Sequence, residues 1–216
     1  MEIFELIKSS DADAVMQMVN QDPSLVELRD PSGLRPIMVA LYYGKRTLAH
    51  ALRSRMETLD LWEAAAIGDL ETARSAVGQD QSLLDAFSPD GFTPLGLAAF
   101  FGSLPVLEWL LEQGADPNLA AQNQMSVCPI HSAAANRDPE KALTSVRLLV
   151  AYGAQVNVAQ RGGWTPLHQA ADHGFQHLVE FLLEAGADRT LKSSDGRTPG
   201  EMALEKGFEA TAALLK

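Results

Sequence analysis

The chain has 216 residues, enough for one well-buried domain, and 17 Lys and Arg against 28 Asp and Glu give it a formal charge of -11. That sign repels phosphate backbones and anionic lipid alike, so neither nucleic acid nor a membrane is expected as a partner, and a basic protein surface is the better match. A single cysteine, Cys128, permits no internal disulfide, and the start Met1-Glu2-Ile3-Phe4-Glu5 has no basic leader pattern, which together predict a cytoplasmic protein.

In chain order, the first signal is a duplication. Gln21-Asp22-Pro23-Ser24-Leu25 through Gly33-Leu34-Arg35-Pro36 aligns with Gln79-Asp80-Gln81-Ser82-Leu83 through Gly91-Phe92-Thr93-Pro94 at a constant offset. Arg35-Pro36-Ile37-Met38-Val39-Ala40 is thereby read as the start of a short helix, divergent from the later one at Thr93. Turn glycines follow at Gly44, Gly68 and Gly102, with Ser10 in the equivalent place of the first unit. Gly44 and Gly68 stand much closer together in the sequence than Gly68 and Gly102 do. Two short helices fit in the smaller span only if the connecting finger is absent, so no hairpin is expected between residues 53 and 60.

From residue 90 the repeat is explicit. Asp90-Gly91-Phe92-Thr93-Pro94-Leu95-Gly96-Leu97-Ala98-Ala99 recurs as Gly162-Gly163-Trp164-Thr165-Pro166-Leu167-His168-Gln169-Ala170-Ala171, and more loosely at Asp195-Gly196-Arg197-Thr198-Pro199. Between them lies Cys128-Pro129-Ile130-His131-Ser132-Ala133-Ala134, so that the motif returns at Thr93, Cys128, Thr165 and Thr198 with a nearly constant step. A second motif keeps phase with the first: Leu110-Leu111-Glu112-Gln113-Gly114-Ala115-Asp116, Leu148-Leu149-Val150-Ala151-Tyr152-Gly153-Ala154 and Leu182-Leu183-Glu184-Ala185-Gly186-Ala187-Asp188. Thr93 and Thr165 suit a helix N-cap, and the proline after each sits at the first helical position, where its missing N–H is not needed. The alanine pairs leave room for a second helix to pack close behind, and the glycine after each second helix closes its C-terminus. The stretch from Cys128 to Gly153 is longer than the matching stretch from Thr93 to Gly114, so residues 136–143 hold a short insertion in which Asp138-Pro139-Glu140 starts a lengthened second helix.

The pattern resembles the ankyrin repeat, with its Thr-Pro-Leu-His-x-Ala signature and a period of about 33 residues. The resemblance implies an all-α solenoid of about seven helix-turn-helix units with short β-hairpin fingers, the first and last units acting as caps. The expected units are residues 1–29, 30–56, 57–87, 88–122, 123–159, 160–192 and 193–216, in one domain where each unit touches only its neighbours.

Enzyme chemistry is not expected. His131 and His168 stand at the signature histidine, where the family uses the imidazole to bond neighbouring repeats. His173 and His177 have ligand spacing, but Gly174 turns the chain between them and no third ligand is near. Cys128 occupies the capping-threonine position, and its one local base, His131, has that structural task. No phosphate loop, nucleophile elbow or zinc cluster is present in the sequence, so no cofactor, metal or small-molecule substrate is expected.

The resemblance also places the two residues before each turn glycine, and the one before the signature threonine, in a concave groove. Here these include Tyr42, Tyr43, Ile67, Phe92, Phe100 and Phe101, followed by Asn136, Trp164, Asp172 and His173. Six of the chain's fourteen Phe, Trp and Tyr fall in that set, and aromatics dominate binding hot spots. The expected function is a monomeric cytosolic adaptor or inhibitor that holds a protein partner along this face; the alternative is a structural, self-associating subunit of a larger assembly. A packing role for the rings competes with a binding role. For Phe101 the groove reading is the expectation, with binding lost and the fold spared on truncation to alanine. Trp62 and Trp109 are expected in the core.

Overall fold

The computed structural model describes residues 2–9 and 11–216, so the expectation placed on Ser10 lies outside the described residues. Among them the chain forms fourteen α-helices and no strand. They run α1 (Glu2–Ser9), α2 (Ala12–Gln21), α3 (Pro36–Tyr42), α4 (Arg46–Arg53), α5 (Leu61–Ile67), α6 (Leu70–Gln79), α7 (Pro94–Phe101), α8 (Leu104–Glu112), α9 (Pro129–Ala134), α10 (Pro139–Ala151), α11 (Pro166–Asp172), α12 (Gln176–Glu184), α13 (Pro199–Glu205) and α14 (Glu209–Leu214). Each odd-numbered helix packs on the even-numbered one that follows, giving seven consecutive pairs. The odd helices form one continuous row from α1 to α13 and the even helices a second row behind it.

Local chemistry sets the helix starts. Thr93 accepts a hydrogen bond from the Gly96 N–H, Thr165 from His168 and Thr198 from Glu201, each with extended backbone at the cap and a proline next. The duplicated segments fold alike: Asp22 and Asp80 each end a helix and accept from the N–H and hydroxyl of Ser24 or Ser82, starting matching 3-10 turns at Pro23–Glu27 and Gln81–Asp85. Behind the caps, Ala98, Ala99, Ala133, Ala134, Ala170 and Ala171 are fully buried, and their small side chains allow the two rows to approach closely. At Gly174 the backbone is left-handed, and an added Cβ would stand 2.7 Å from the Phe208 ring, so the turn demands glycine for both conformation and space.

Both length anomalies in the repeat have structural counterparts. The link between α4 and α5 is a turn at Ser54 and Arg55 and a bend at Glu57 with no finger, and it buries Met56 and Leu59. The insertion lengthens α10 to 13 residues, against 9 in α8 and α12, and Asp138 caps it by accepting from Glu140 and Lys141.

Two expectations need correction. The fingers are turns rather than β-hairpins: each tip closes with a bond such as Ser88 N–H to Phe92 O at 2.9 Å or Gln160 N–H to Trp164 O at 2.9 Å. Adjacent tips are joined by single backbone bonds, Gln122 N–H to Gly91 O, Arg161 N–H to Met125 O and Ser194 N–H to Gly162 O, and one backbone bond per junction makes no ladder. Nor does each pair touch only its neighbours. With no finger after α4, the tip at Gly33 lies directly against Pro89, and Tyr42 reaches past α5 to the rings of Phe100 and Phe101 on α7. Arg46 on α4 likewise donates to the Phe101 carbonyl.

Arg35 stands where α7, α11 and α13 carry threonine. It is 5% exposed, and its guanidinium donates through Nε and Nη2 to both carboxylate oxygens of Glu63, itself 2% exposed, and through Nη1 to Glu27 at 2.6 Å. Burial works against the Arg35 charge, but Glu63 and Glu27 outweigh it and hold its pKa above the ordinary value. Burial pushes the Glu63 carboxyl up, partly offset by the hydrogen bonds from Arg35. This ion cluster occupies the space beside the missing finger.

Candidate binding groove

The ends of the odd helices and the finger tips beside them enclose a cleft of about 250 Å³, walled by Tyr42, Phe92, Leu97, Phe100, Met125, Val127 and Ala135, with His131, Ser132, Gln160 and Gln169 also lining it. A second depression of about 490 Å³ continues from it, sharing Tyr42, Phe100 and Ala135 and adding Tyr43, Arg46, Phe101, Asn136, Arg137, Asp138 and Lys141. The aromatic wall is ordered by ring contacts. Phe100 meets Phe101 edge-on at 5.0 Å, and Tyr42 lies 5.3 Å from Phe101 and 6.2 Å from Phe100. The Tyr42 hydroxyl donates to Asp90 at 2.5 Å; burial, and then the Asp90 charge, hold its phenol well above the ordinary pKa, so it stays neutral.

The groove residues expected from sequence separate into three groups. Tyr42, Phe92 and Phe100 are half-buried and come together in the cleft, while Tyr43, 51% exposed, lies at the rim of the second depression. Ile67 and Phe101 are buried core, and Asn136 is buried as a brace, donating to the Phe100 carbonyl at 2.8 Å and accepting from the Asp138 N–H at 2.9 Å. For Phe101 this corrects the expectation that truncation would spare the fold: the ring is 7% exposed and packed between Tyr42 and Phe100. Trp164, Asp172 and His173 are half-buried further along and line neither depression. Asp172 pairs with Lys206 at 3.3 Å, and the His173 Nδ1 is buried without a hydrogen-bond partner among the described residues. Trp62 and Trp109 are partly buried against the core, Trp62 donating to the Ala86 carbonyl at 3.0 Å.

Of the lining residues that sequence reasoning missed, four set the character of the two depressions. Met125, 54% exposed, is carried by the finger between α8 and α9, where Ser126 has a left-handed φ of 49°. Arg46 lies just past a turn glycine; Arg137 and Lys141 lie within the stretch that holds the insertion, which the repeat pattern marks only as extra helix. The φ at Ser126 has no sequence signature, but cations clustered at an insertion could have been read.

The titratable groups nearest the cleft are built for structure. His131 Nδ1 accepts from the Cys128 N–H at 3.1 Å and Nε2 contacts the Val158 carbonyl at 3.0 Å; His168 repeats this with Thr165 N–H and the Arg197 carbonyl, both at 3.1 Å. Each imidazole thus ties a helix start to the next loop as a neutral ring, and burial lowers the pKa of both. Cys128 is buried, its thiol donating to the Asn118 carbonyl at 3.4 Å, and burial raises its pKa, which keeps it protonated and a poor nucleophile. Among the described residues no cluster of His, Cys, Asp or Glu could hold a metal ion, and no helix is long and apolar enough to cross a membrane.

Capped helical pairs stacked in two rows, tied by signature histidines and open along one grooved edge, define a helical-repeat solenoid. A family model for ankyrin repeats in three copies matches residues 61–160 and 130–216, and the chain belongs to the ankyrin-repeat family. It is 28% identical over 145 residues to the rat ankyrin repeat and SAM domain-containing protein 6, covering 67% of this chain and 12% of that one. It is 35% identical over 74 residues to human protein phosphatase 1 regulatory subunit 27, covering 34% of this chain and 47% of that one. With the probable 26S proteasome regulatory subunit p28 of Saccharomyces cerevisiae it shares 27% identity over 209 residues, 89% of this chain and 88% of that one. The chain thus spans an eighth of the first of these relatives and about half of the second. Membership implies protein–protein interaction, and the relatives include regulatory subunits.

Proposed function

We propose that the chain is a cytosolic adaptor or inhibitor of seven ankyrin units, one per helical pair and capped by the first and last, that holds a segment of a protein partner in the groove beside the odd helices. The observation that carries this reading is the aromatic cleft: Tyr42, Phe92 and Phe100 keep part of each ring accessible, side by side, next to an exposed methionine. Such a surface stabilises a complex by burying apolar side chains in a preformed depression, with no bond making. A photocrosslinking amino acid at Phe100 is expected to capture a partner in extracts, whereas the same group at exposed Glu108, on the outer row, captures none. Equal capture at both positions, or capture at Glu108 alone, overturns the reading.

The proteasome relative supports a second reading, because it matches the chain nearly end to end: a fixed subunit of a larger assembly. Light scattering separates the two in part. A monomer at micromolar concentration fits the adaptor, and a stable dimer built on the groove fits a self-associating subunit.

A further inference from the structure

We infer that the groove takes a partner segment carrying a large apolar side chain next to acidic residues, the apolar group in the cleft and the carboxylates in the adjoining depression. The inference rests on the groove being the binding face and adds the chemistry of the occupant. The two depressions are continuous through Tyr42, Phe100 and Ala135, yet their linings differ in kind. The first is mostly apolar and carries no charged side chain, its polar members being Tyr42, His131, Ser132, Gln160 and Gln169. The second gathers Arg46, Arg137 and Lys141 against a single carboxylate, Asp138. In a chain of net charge -11 that is a local reversal of sign.

One of the cations is held in place, and all three remain uncompensated. The Arg46 guanidinium is anchored by the Phe101 carbonyl, a neutral acceptor that leaves its charge intact. Arg137 is exposed, and none of the three has a carboxylate within ion-pair distance among the described residues. Asp138 is committed to the start of α10, where it accepts from two backbone N–H groups. Asp90, the carboxylate nearest the aromatic wall, is satisfied by the hydroxyls of Tyr42 and Ser88. Charge complementarity therefore selects a partner with carboxylates at this end, and it replaces here the basic partner that net charge alone favours; beyond a Debye length of about 10 Å the overall charge matters little to contact chemistry.

The test is selection of a library of short random peptides, displayed on phage, against the full chain and against an Arg137→Glu/Lys141→Glu variant. Both positions are solvent-accessible, and an unchanged circular dichroism melt shows that the variant is folded. Peptides selected on the native chain are expected to combine Leu, Ile, Met or an aromatic with Asp or Glu, and to lose at least about tenfold in affinity on the variant. Selection of basic or charge-indifferent peptides, or equal affinity for both proteins, overturns the inference while leaving the groove as the binding face. If no peptide is selected, or if selected peptides still bind a Phe100→Glu variant, the groove itself fails as a peptide site and both readings fall. Concentration-dependent dimerisation blocked by Phe100→Glu would make a second copy of the chain the occupant and also overturn the inference.

Discussion

The hydroxyl of Tyr42 donates to the carboxylate of Asp90, a residue 48 positions later that belongs to a helical pair not adjacent to its own. The bond locks one wall of the cleft to the finger opposite. Tyr42→Phe keeps the ring contacts and removes only this bond, so it is expected to lower stability by about 1–2 kcal/mol in urea titration. A change below the error of that measurement would mean that solvent replaces the bond.

The Arg35–Glu63 pair is buried from both sides, so removing one partner strands the other charge. Arg35→Met is expected to destabilise the fold by about 3–5 kcal/mol, with most of the loss recovered when Glu63→Met is added. Chemical denaturation of the two variants reads the difference directly; equal losses would show that Arg35 acts through packing alone.

Truncating Phe101 removes a buried ring. Phe101→Ala is expected to cost about 3–5 kcal/mol by thermal unfolding, and weakened binding would follow from the lost structure. Phe100→Ala, at a half-buried wall position, is expected to cost less stability and more affinity.

Acid sensitivity follows from the histidines. His131 and His168 have folded-state pKa values lowered from 6.5 by burial, and burial lowers His173 as well. The unfolded chain therefore takes up protons first as pH falls, and stability that is complete above about pH 6.5 is lost progressively below it. Urea midpoints in neutral and in mildly acidic buffer are expected to differ, with a smaller difference in His131→Asn.

Gly174→Val puts a branched side chain at a left-handed φ of 69° and against the Phe208 ring. From backbone strain and overpacking together the cost is about 2–5 kcal/mol. Hydrogen exchange should accelerate first in α11 to α14.

Most of the helical framework was legible in the sequence because its signals are local. A threonine followed by proline reports a helix start through its own hydroxyl, and the short gap between Gly44 and Gly68 reports the absent finger by chain length alone. The groove was legible only as a set of positions. Whether Phe100 or its neighbour Phe101 faces the cleft depends on the approach of Tyr42 to α7 across the unit that has no finger. No local pattern encodes that approach. Arg46, Arg137 and Lys141 were missed for the same reason, since they come from the second and fifth pairs and become one feature only because the second pair meets the fourth, beside which the fifth lies.

That meeting has a mechanical consequence. A stack of units bonded only to their neighbours behaves as a chain of springs, each able to yield alone. Tyr42 and Arg46 add a tie that skips one spring, so pulling apart the second and fourth pairs also loads the third. Under tension applied at the two ends, α9 to α14 should peel away in small successive steps, while α3 to α8 give way together at a higher force. The tied segment carries Tyr42, Phe92 and Phe100, so these rings should stay together after α11 to α14 have peeled away, whereas release of α9 and α10 takes Arg137 and Lys141 from the groove.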